Sequence, residues 1–198
     1  MSDNPNQGFA WLLERTGHAT ASRFKDVLAR LKSGAPAAVR QDYLLQLVTE
    51  RLTGEPTQHY VSPAMQWGTD NEKFARERYT AETDNAVTLV GFLRHPELMA
   101  GASPDGVIGM DGLVEIKCPT SATHTRTLLN GMDESHLPQI QGQLWITGAE
   151  WCDFCSYDPR LPKGLDLYVQ RVPRDPVFIK HLEGEVRQFL ADVDAVFQ

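Results

Sequence analysis

The apolar residues of this chain change period near residue 84, and that change restricts it to folds in which helices pack on a sheet. Before the change the spacing is helical. Phe24, Val27, Leu28 and Leu31 fall on one side of Thr20 to Leu31, and Tyr43, Leu44, Leu47, Val48 and Leu52 on one side of Ala37 to Leu52. Ser33-Gly34-Ala35-Pro36 separates these two helices, and Gly54 and Pro56 end the second. Ser62-Pro63 is a cap with proline at the first helical position, predicting a helix to about Thr83. After the change, Ala86 to Leu93 and Gly112 to Lys117 read as strands, with turn residues at Ser103-Pro104-Asp105-Gly106 and Asp111-Gly112. Ser135 to Thr147 predicts a helix ended by Gly148. Trp151 to Tyr157 and Leu165 to Val172 predict strands, and Asp175-Pro176 caps a last helix running close to Phe197. The expected class is α/β, a central sheet with helices packed on it.

Composition narrows the setting. The 198 residues, 41% hydrophobic and 23% charged, suit one domain with a sizeable core and exclude low-complexity, collagen and coiled-coil chains. No apolar run approaches the roughly 20 residues of a membrane span. The opening MSDNPNQGFAWLLER lacks the basic-then-apolar order of a signal peptide. Three cysteines suggest a reducing compartment, so a cytoplasmic location is expected. The net charge of −7 argues against a surface coated for nucleic acid, although residues 1–40 carry six Lys/Arg and three acids. Residues 41–115 carry five bases and twelve acids, which suits a metal site or solvated helix faces.

The chemistry concentrates in Ser103-Pro104-Asp105-Gly106 and Leu113-Val114-Glu115-Ile116-Lys117-Cys118-Pro119. Alternation along a strand puts Glu115 and Lys117 on one face and Val114 and Ile116 on the other. Two carboxylates and a backbone carbonyl make a hard oxygen site for Mg²⁺ or Mn²⁺. A lysine beside them can orient the attacking water and offset charge on a phosphoryl centre. Asp-x(9)-Glu-x-Lys by itself also describes an ordinary turn and a solvated strand. A two-residue turn at Asp111-Gly112 would pair Ile108 with Glu115 and place Asp105 opposite Cys118, facing away from Glu115. An irregularity at Gly106 or Gly109 is therefore expected.

These residues resemble the PD-(D/E)xK nuclease core, specifically the lambda exonuclease and YqaJ-type phage recombination exonucleases. Three further blocks extend the resemblance over residues 15–157: Arg15-x-Gly17-x-x-Thr20-Ala21-Ser22, Trp67-Gly68-x-x-x-Glu72, and Gln139-x-Gln141 followed by Trp145-Ile146-Thr147. The resemblance implies a single nuclease domain over 1–198, with a helical part at about 8–83 and a central mixed sheet with flanking helices at about 85–198. It implies that Asp105, Glu115 and the Ile116 carbonyl bind metal, with Glu72 reaching a second metal region. Lys117 would contact or activate the attacking water, and Gln139 would help place it. Arg15, Ser22 and Ser103 match residues that hold the 5′-phosphate of a DNA end.

The implied activity is Mg²⁺-dependent 5′→3′ digestion of double-stranded DNA from a free 5′ end, with Mn²⁺ as a substitute. It releases 5′-mononucleotides and leaves a 3′ overhang for recombination. A ring-shaped homotrimer, a phage-type single-strand annealing partner and a bacterial host or prophage setting are implied with it. An endonuclease on the same core, or a non-catalytic DNA-end-binding protein, are the alternatives. The chain is short between Ser33 and Gln41 and between Lys117 and Ser135, where loops that engage DNA would differ.

Other candidates carry less. Cys152-x-x-Cys155 lies in a strand, where a three-residue offset sends the thiols to opposite faces. The six histidines, His18, His59, His95, His124, His136 and His181, show no metal spacing, though His124 follows the Lys117 motif closely enough to approach DNA or phosphate. Trp67 and Trp145 suit a core better than base stacking. On its helix, Glu72 shares a stripe with Gly68, Ala75 and Tyr79, and Arg76 is its i+4 neighbour.

Overall fold

The computed structural model describes residues 4–6, 8–58 and 60–197; Met1–Asp3, Gln7, His59 and Gln198 lie outside the described residues. The helical part runs through α1 (Phe9–Arg15), the short strand β1 (Ala19–Thr20), a 3-10 turn (Ala21–Arg23), α2 (Phe24–Val27), α3 (Ala38–Thr53) and α4 (Pro63–Thr83). Then come β2 (Val87–Thr88), β3 (Leu93–Arg94), β4 (Ala100–Ala102), β5 (Gly106–Ile108), β6 (Gly112–Lys117) and α5 (Ser121–Asn130). A 3-10 turn (Glu134–His136), α6 (Leu137–Thr147), β7 (Trp151–Tyr157), β8 (Leu167–Pro173) and α7 (Pro176–Ala195) complete the chain.

Two sheets result. The larger has the order β2-β5-β6-β7-β8, with β6 and β7 parallel and the other pairs antiparallel; the smaller has the order β1-β4-β3. The expected mixed sheet flanked by helices is thus present. Local chemistry fixes the long helices where the capping residues stand. Ser62 Oγ accepts the Met65 N–H at 3.2 Å, and Asp175 accepts the Val177 and Phe178 N–H groups at 2.9 and 3.0 Å. Gly148, at φ 75°, closes α6.

Two expected elements differ. The helix over Thr20–Leu31 lasts only one turn, because β1 first pairs in parallel with β4 and the loop after α2 then turns back. There the Leu31 and Ala37 N–H groups go to the Ala35 and Ala29 carbonyls. Phe24 and Val27 still reach the core. The strand over Ala86–Leu93 is broken: β2 joins the larger sheet and β3 the smaller one. Elements α1 and α5 arise in segments the apolar pattern leaves unassigned.

Packing follows the sheet's two faces. Leu113, Cys152 and Phe154 meet Ile140 and Leu144 of α6, while Val114, Ile116, Cys155 and Tyr157 meet Ala75 and Tyr79 of α4. Cys152 and Cys155 therefore sit on opposite faces, as their spacing predicts. All three thiols are free and buried; burial pushes Cys118 up to about 12 and raises the other two as well. Tyr79 also donates to Asp153 Oδ2 at 2.6 Å, and Arg171 donates to both Asp153 oxygens, which ties α4 to the sheet. A third cluster joins α2, α3 and α7, where Tyr43 stacks on Phe189 at 5.3 Å.

Helix α6 approaches α2 through Gly142, where an added Cβ would run into the Phe24 ring. Gly142→Ala is expected to destabilise by about 1–3 kcal/mol through overpacking. In a thermal melt this lowers Tm by roughly 2–4 °C per kcal/mol. Gly184→Ala, where a Cβ meets nothing within 4 Å on α7, should leave Tm unchanged or raise it.

Candidate active site

The β5–β6 hairpin decides which way Asp105 points. Ile108 pairs with Gly112 and Gly106 with Val114, so the turn is Gly109-Met110-Asp111, with Gly109 left-handed at φ 58°. Continuing that register one residue past β5 sets Asp105 opposite Glu115 on the same face. The irregularity expected at Gly106 or Gly109 is a displaced turn rather than a bulge. Asp105 Oδ2 accepts the Ile116 N–H at 2.6 Å, which anchors its carboxylate at the end of β6.

Glu115 is 1% exposed and fully engaged. Its Oε1 accepts from Lys117 Nζ at 2.5 Å and from Gln139 Nε2 at 2.6 Å, and its Oε2 accepts from Gln143 Nε2 at 2.6 Å. Lys117 Nζ also donates to Gln139 Oε1 at 3.4 Å. Helix α6 supplies both glutamines because residues four apart share a helix face. Glu72, on α4, accepts from Arg76 at 2.8 Å and from Asn4 Nδ2 at 2.8 Å, so it has its i+4 partner and still faces the same cavity.

That cavity, of about 530 Å³, is lined by all nine residues to which the resemblance gives a metal, catalytic or phosphate role: Arg15, Ser22, Glu72, Ser103, Asp105, Glu115, Ile116, Lys117 and Gln139. At one side Arg15 lies over the Trp11 ring, 4.0 Å from its centroid, and donates to Thr20 Oγ1 and Ser22 Oγ at 3.5 and 3.4 Å. Trp11 Nε1 donates to Ser103 Oγ at 2.9 Å, joining α1 to the loop before Asp105. Among the described residues no carboxylate lies within ion-pair distance of Arg15. Other early arginines are paired: Arg23 with Asp26, Arg30 with Glu185, and Arg40 with Asp192 at 2.7 Å.

The electrostatics are those of crowded carboxylates. Burial, then the neighbouring Glu115 and Glu72, pushes the Asp105 carboxyl well above its ordinary range. Burial works against the Lys117 ammonium, but Glu115 and Asp105 outweigh it and hold that group above its usual value. No tight cluster of three His, Cys, Asp or Glu stands ready for a metal among the described residues. The donors nevertheless fit a hard divalent cation. Asp105, Glu115, Glu72 and Ile116 offer oxygen only, and the Asp105–Glu115–Glu72 repulsion is what such an ion relieves. Gln143 Oε1 adds a buried acceptor without a partner among the described residues.

Several lining residues escape a reading of the sequence. Gln143 is one, although it shares Gln139's helical stripe. Trp11, His136 and Ser156 are others; His136 lies tilted against the Phe154 ring with centroids 5.1 Å apart, and burial, then Lys117, lowers its pKa. Gln141 faces elsewhere, bonding the Pro173 carbonyl and the Asp175 N–H at 2.9 Å each. Trp67 and Trp145 pack against core clusters.

Comparison with known proteins places this geometry. The YqaJ-like viral recombinase domain matches residues 10–150. An alkaline exonuclease, LHK-Exo, from Laribacter hongkongensis is similar at 43% identity, covering 94% of this chain and 92% of that one, with a TM-score of 0.87. LHK-Exo in complex with dAMP gives 44% identity over the same shares, again with a TM-score of 0.87. A phage-related exonuclease from Haemophilus somnus 129PT has the same fold at 12% identity, covering 91% of this chain and 95% of that one, with a TM-score of 0.74. Among curated proteins, none gives a significant match. With its PD-(D/E)xK-type sheet and the match over most of its length, the chain belongs to the YqaJ-like viral recombinase domain family.

Proposed function

We propose that this protein is a Mg²⁺-dependent 5′→3′ exodeoxyribonuclease. It acts on double-stranded DNA ends, releases 5′-mononucleotides and leaves a 3′ single-stranded overhang for recombination. One observation carries the reading: Asp105, anchored on the Ile116 N–H, and Glu115, bonded to Lys117, line the same cavity as Arg15, Ser22 and Ser103. The similarity to an alkaline exonuclease, and to its complex with dAMP, supports it.

Asp105, Glu115, Glu72 and the Ile116 carbonyl would hold the metal, Mg²⁺ or Mn²⁺ in its place. The ion supplies activated water and charge stabilisation at phosphorus. The protein's own groups do the rest. Lys117, kept as an ammonium by its carboxylate neighbours, sets a fixed positive charge where negative charge builds on the phosphoryl oxygens. Gln139 bridges Lys117 and Glu115 and so fixes both. Arg15, with the Ser22 and Ser103 hydroxyls, holds the terminal 5′-phosphate. An anchor and a cleavage site within one cavity of small-ligand size suit release of one nucleotide at a time.

A ring-shaped homotrimer would let an acidic chain enclose DNA, with basic residues on the channel and acids on the outside. A single-strand annealing protein would take up the overhang, in the cytoplasm of a bacterial host. No helix among the described residues is long and apolar enough to cross a membrane.

Digestion of linear and closed-circular duplexes carrying 5′ or 3′ labels, with and without Mg²⁺, tests the reading. Early release of 5′-labelled mononucleotides from linear DNA only is the expected result. Cleaved circles would move the assignment to an endonuclease, and intact DNA throughout would favour an end-binding protein. Arg15→Ala should reduce the rate on 5′-phosphorylated ends by about tenfold or more, since a charged hydrogen bond contributes roughly 1.5–3 kcal/mol. Ends bearing a 5′-hydroxyl should change little. Equal losses on both ends would reassign Arg15 to general backbone contact.

A further inference from the structure

In the cavity wall and just behind it lies a buried pair, Ser156 and His124, that the proposed chemistry does not use. His124, on α5, is 0% exposed, and its ring joins two groups. Nε2 lies 2.9 Å from the Leu165 carbonyl oxygen, and Nδ1 lies 2.8 Å from Ser156 Oγ. A carbonyl only accepts, so Nε2 carries the proton and donates. With the second proton absent from the ring, Nδ1 is the acceptor and Ser156 donates its hydroxyl proton to it. Having no second proton, Ser156 Oγ can act toward the cavity only as an acceptor.

What faces it follows from the sheet. Ser156 on β7 is the direct partner of Lys117 on β6, so the two side chains share a face on strands about 4.8 Å apart. Both line the cavity. The Lys117 ammonium has three donors, and Glu115 Oε1 and Gln139 Oε1 are its partners in this structure. The geometry points to Ser156 as a positioning residue for Lys117: His124 holds the Ser156 hydroxyl as an obligate acceptor that takes the third ammonium proton, through one bridging water. Lys117 is thereby steadied from the strand opposite the carboxylates, and stays aimed when Glu115 turns to another partner. This rests on the nuclease reading only for its catalytic consequence.

Two substitutions of His124 separate positioning from mere support. His124→Asn keeps an acceptor where Nδ1 stood and loses the donor to Leu165. His124→Gln keeps the donor and loses the acceptor. Both weaken the anchoring of α5, so a purely structural role makes them equivalent. Positioning makes them differ: His124→Gln and Ser156→Ala should each lower kcat about tenfold with DNA affinity held within twofold, whereas His124→Asn should restore kcat to within about threefold of the parent.

The side-chain ¹⁵N–¹H signal of Lys117 gives a readout independent of turnover. It should move in Ser156→Ala and His124→Gln and stay in place in His124→Asn. An unmoved signal in Ser156→Ala, or equal kcat in the two His124 variants, would overturn the proposal. A parent protein that cuts no DNA would overturn the nuclease reading instead, and the Lys117 signal would still decide whether Ser156 holds it. If a His124 variant does not fold, Ser156→Ala decides by the same signal.

Discussion

Replacing Asp105 with asparagine is expected to abolish cleavage and raise the melting temperature of the metal-free protein. The two effects share one cause. Asp105 shares the cavity with Glu115 and Glu72, and burial with these two charges drives its carboxyl toward the protonated state. A carboxyl raised in the folded state binds its proton more tightly there than in the unfolded chain. Ionising it as pH rises from about 4 through the folded value therefore withdraws stability. At neutral pH the wild type bears that loss, and the Asp105→Asn variant, whose amide cannot ionise, does not. The Ile116 N–H can still find the amide oxygen. Melts at pH 7 without divalent ions should show a gain of several degrees, narrowing toward pH 4. The rate should fall on the order of a thousandfold or more, because several kcal/mol of charge stabilisation leave with the proposed metal ligand. Adding Mg²⁺ should raise Tm in the wild type and leave the variant nearly unmoved, since only binding to the folded state stabilises it. A variant that melts earlier without metal, or cuts at a substantial Mg²⁺-dependent rate, would remove Asp105 from the site.

Lys117→Ala should behave differently. Its ammonium is one donor in a cavity whose proposed phosphate anchor is Arg15, so DNA binding in Ca²⁺ should remain within about twofold while kcat drops roughly 10²–10³-fold, the usual cost of removing one preorganised charge at a transition state. A gel-shift assay beside single-turnover cleavage distinguishes the outcomes. Weaker binding with normal cleavage of whatever stays bound would make Lys117 a backbone contact.

The sequence is readable wherever a structural decision is local. Ser62-Pro63 and Asp175-Pro176 carry their own hydrogen-bonding instructions, and α4 and α7 begin where those residues stand. The alternation in Gly112–Lys117 separates the Glu115 face from the Val114 face without further information. The local pattern misplaces the hairpin register because Asp111-Gly112 is a strong two-residue turn signal. Gly112 is in fact a packing glycine: it pairs with Trp151, and an added Cβ would run into that ring. The requirement for glycine there comes from a side chain 39 residues away, which no local pattern reveals. Ser156 and Gln143 escape a local reading for the same reason. Each matters through a strand or helix neighbour, Lys117 in one case and Glu115 in the other, that only the assembled sheet supplies.

The hairpin has a practical side as well. Met110 at its tip is fully exposed, while the facing of the two carboxylates is settled by the paired arms, Gly106 with Val114 and Ile108 with Gly112. Extra residues placed between Gly109 and Asp111 lengthen the loop without re-threading those arms. The tip is therefore an attachment point. A fluorophore or short tether grafted at Met110 would mark the protein on a DNA molecule while leaving the paired arms that carry Glu115 and Lys117 undisturbed.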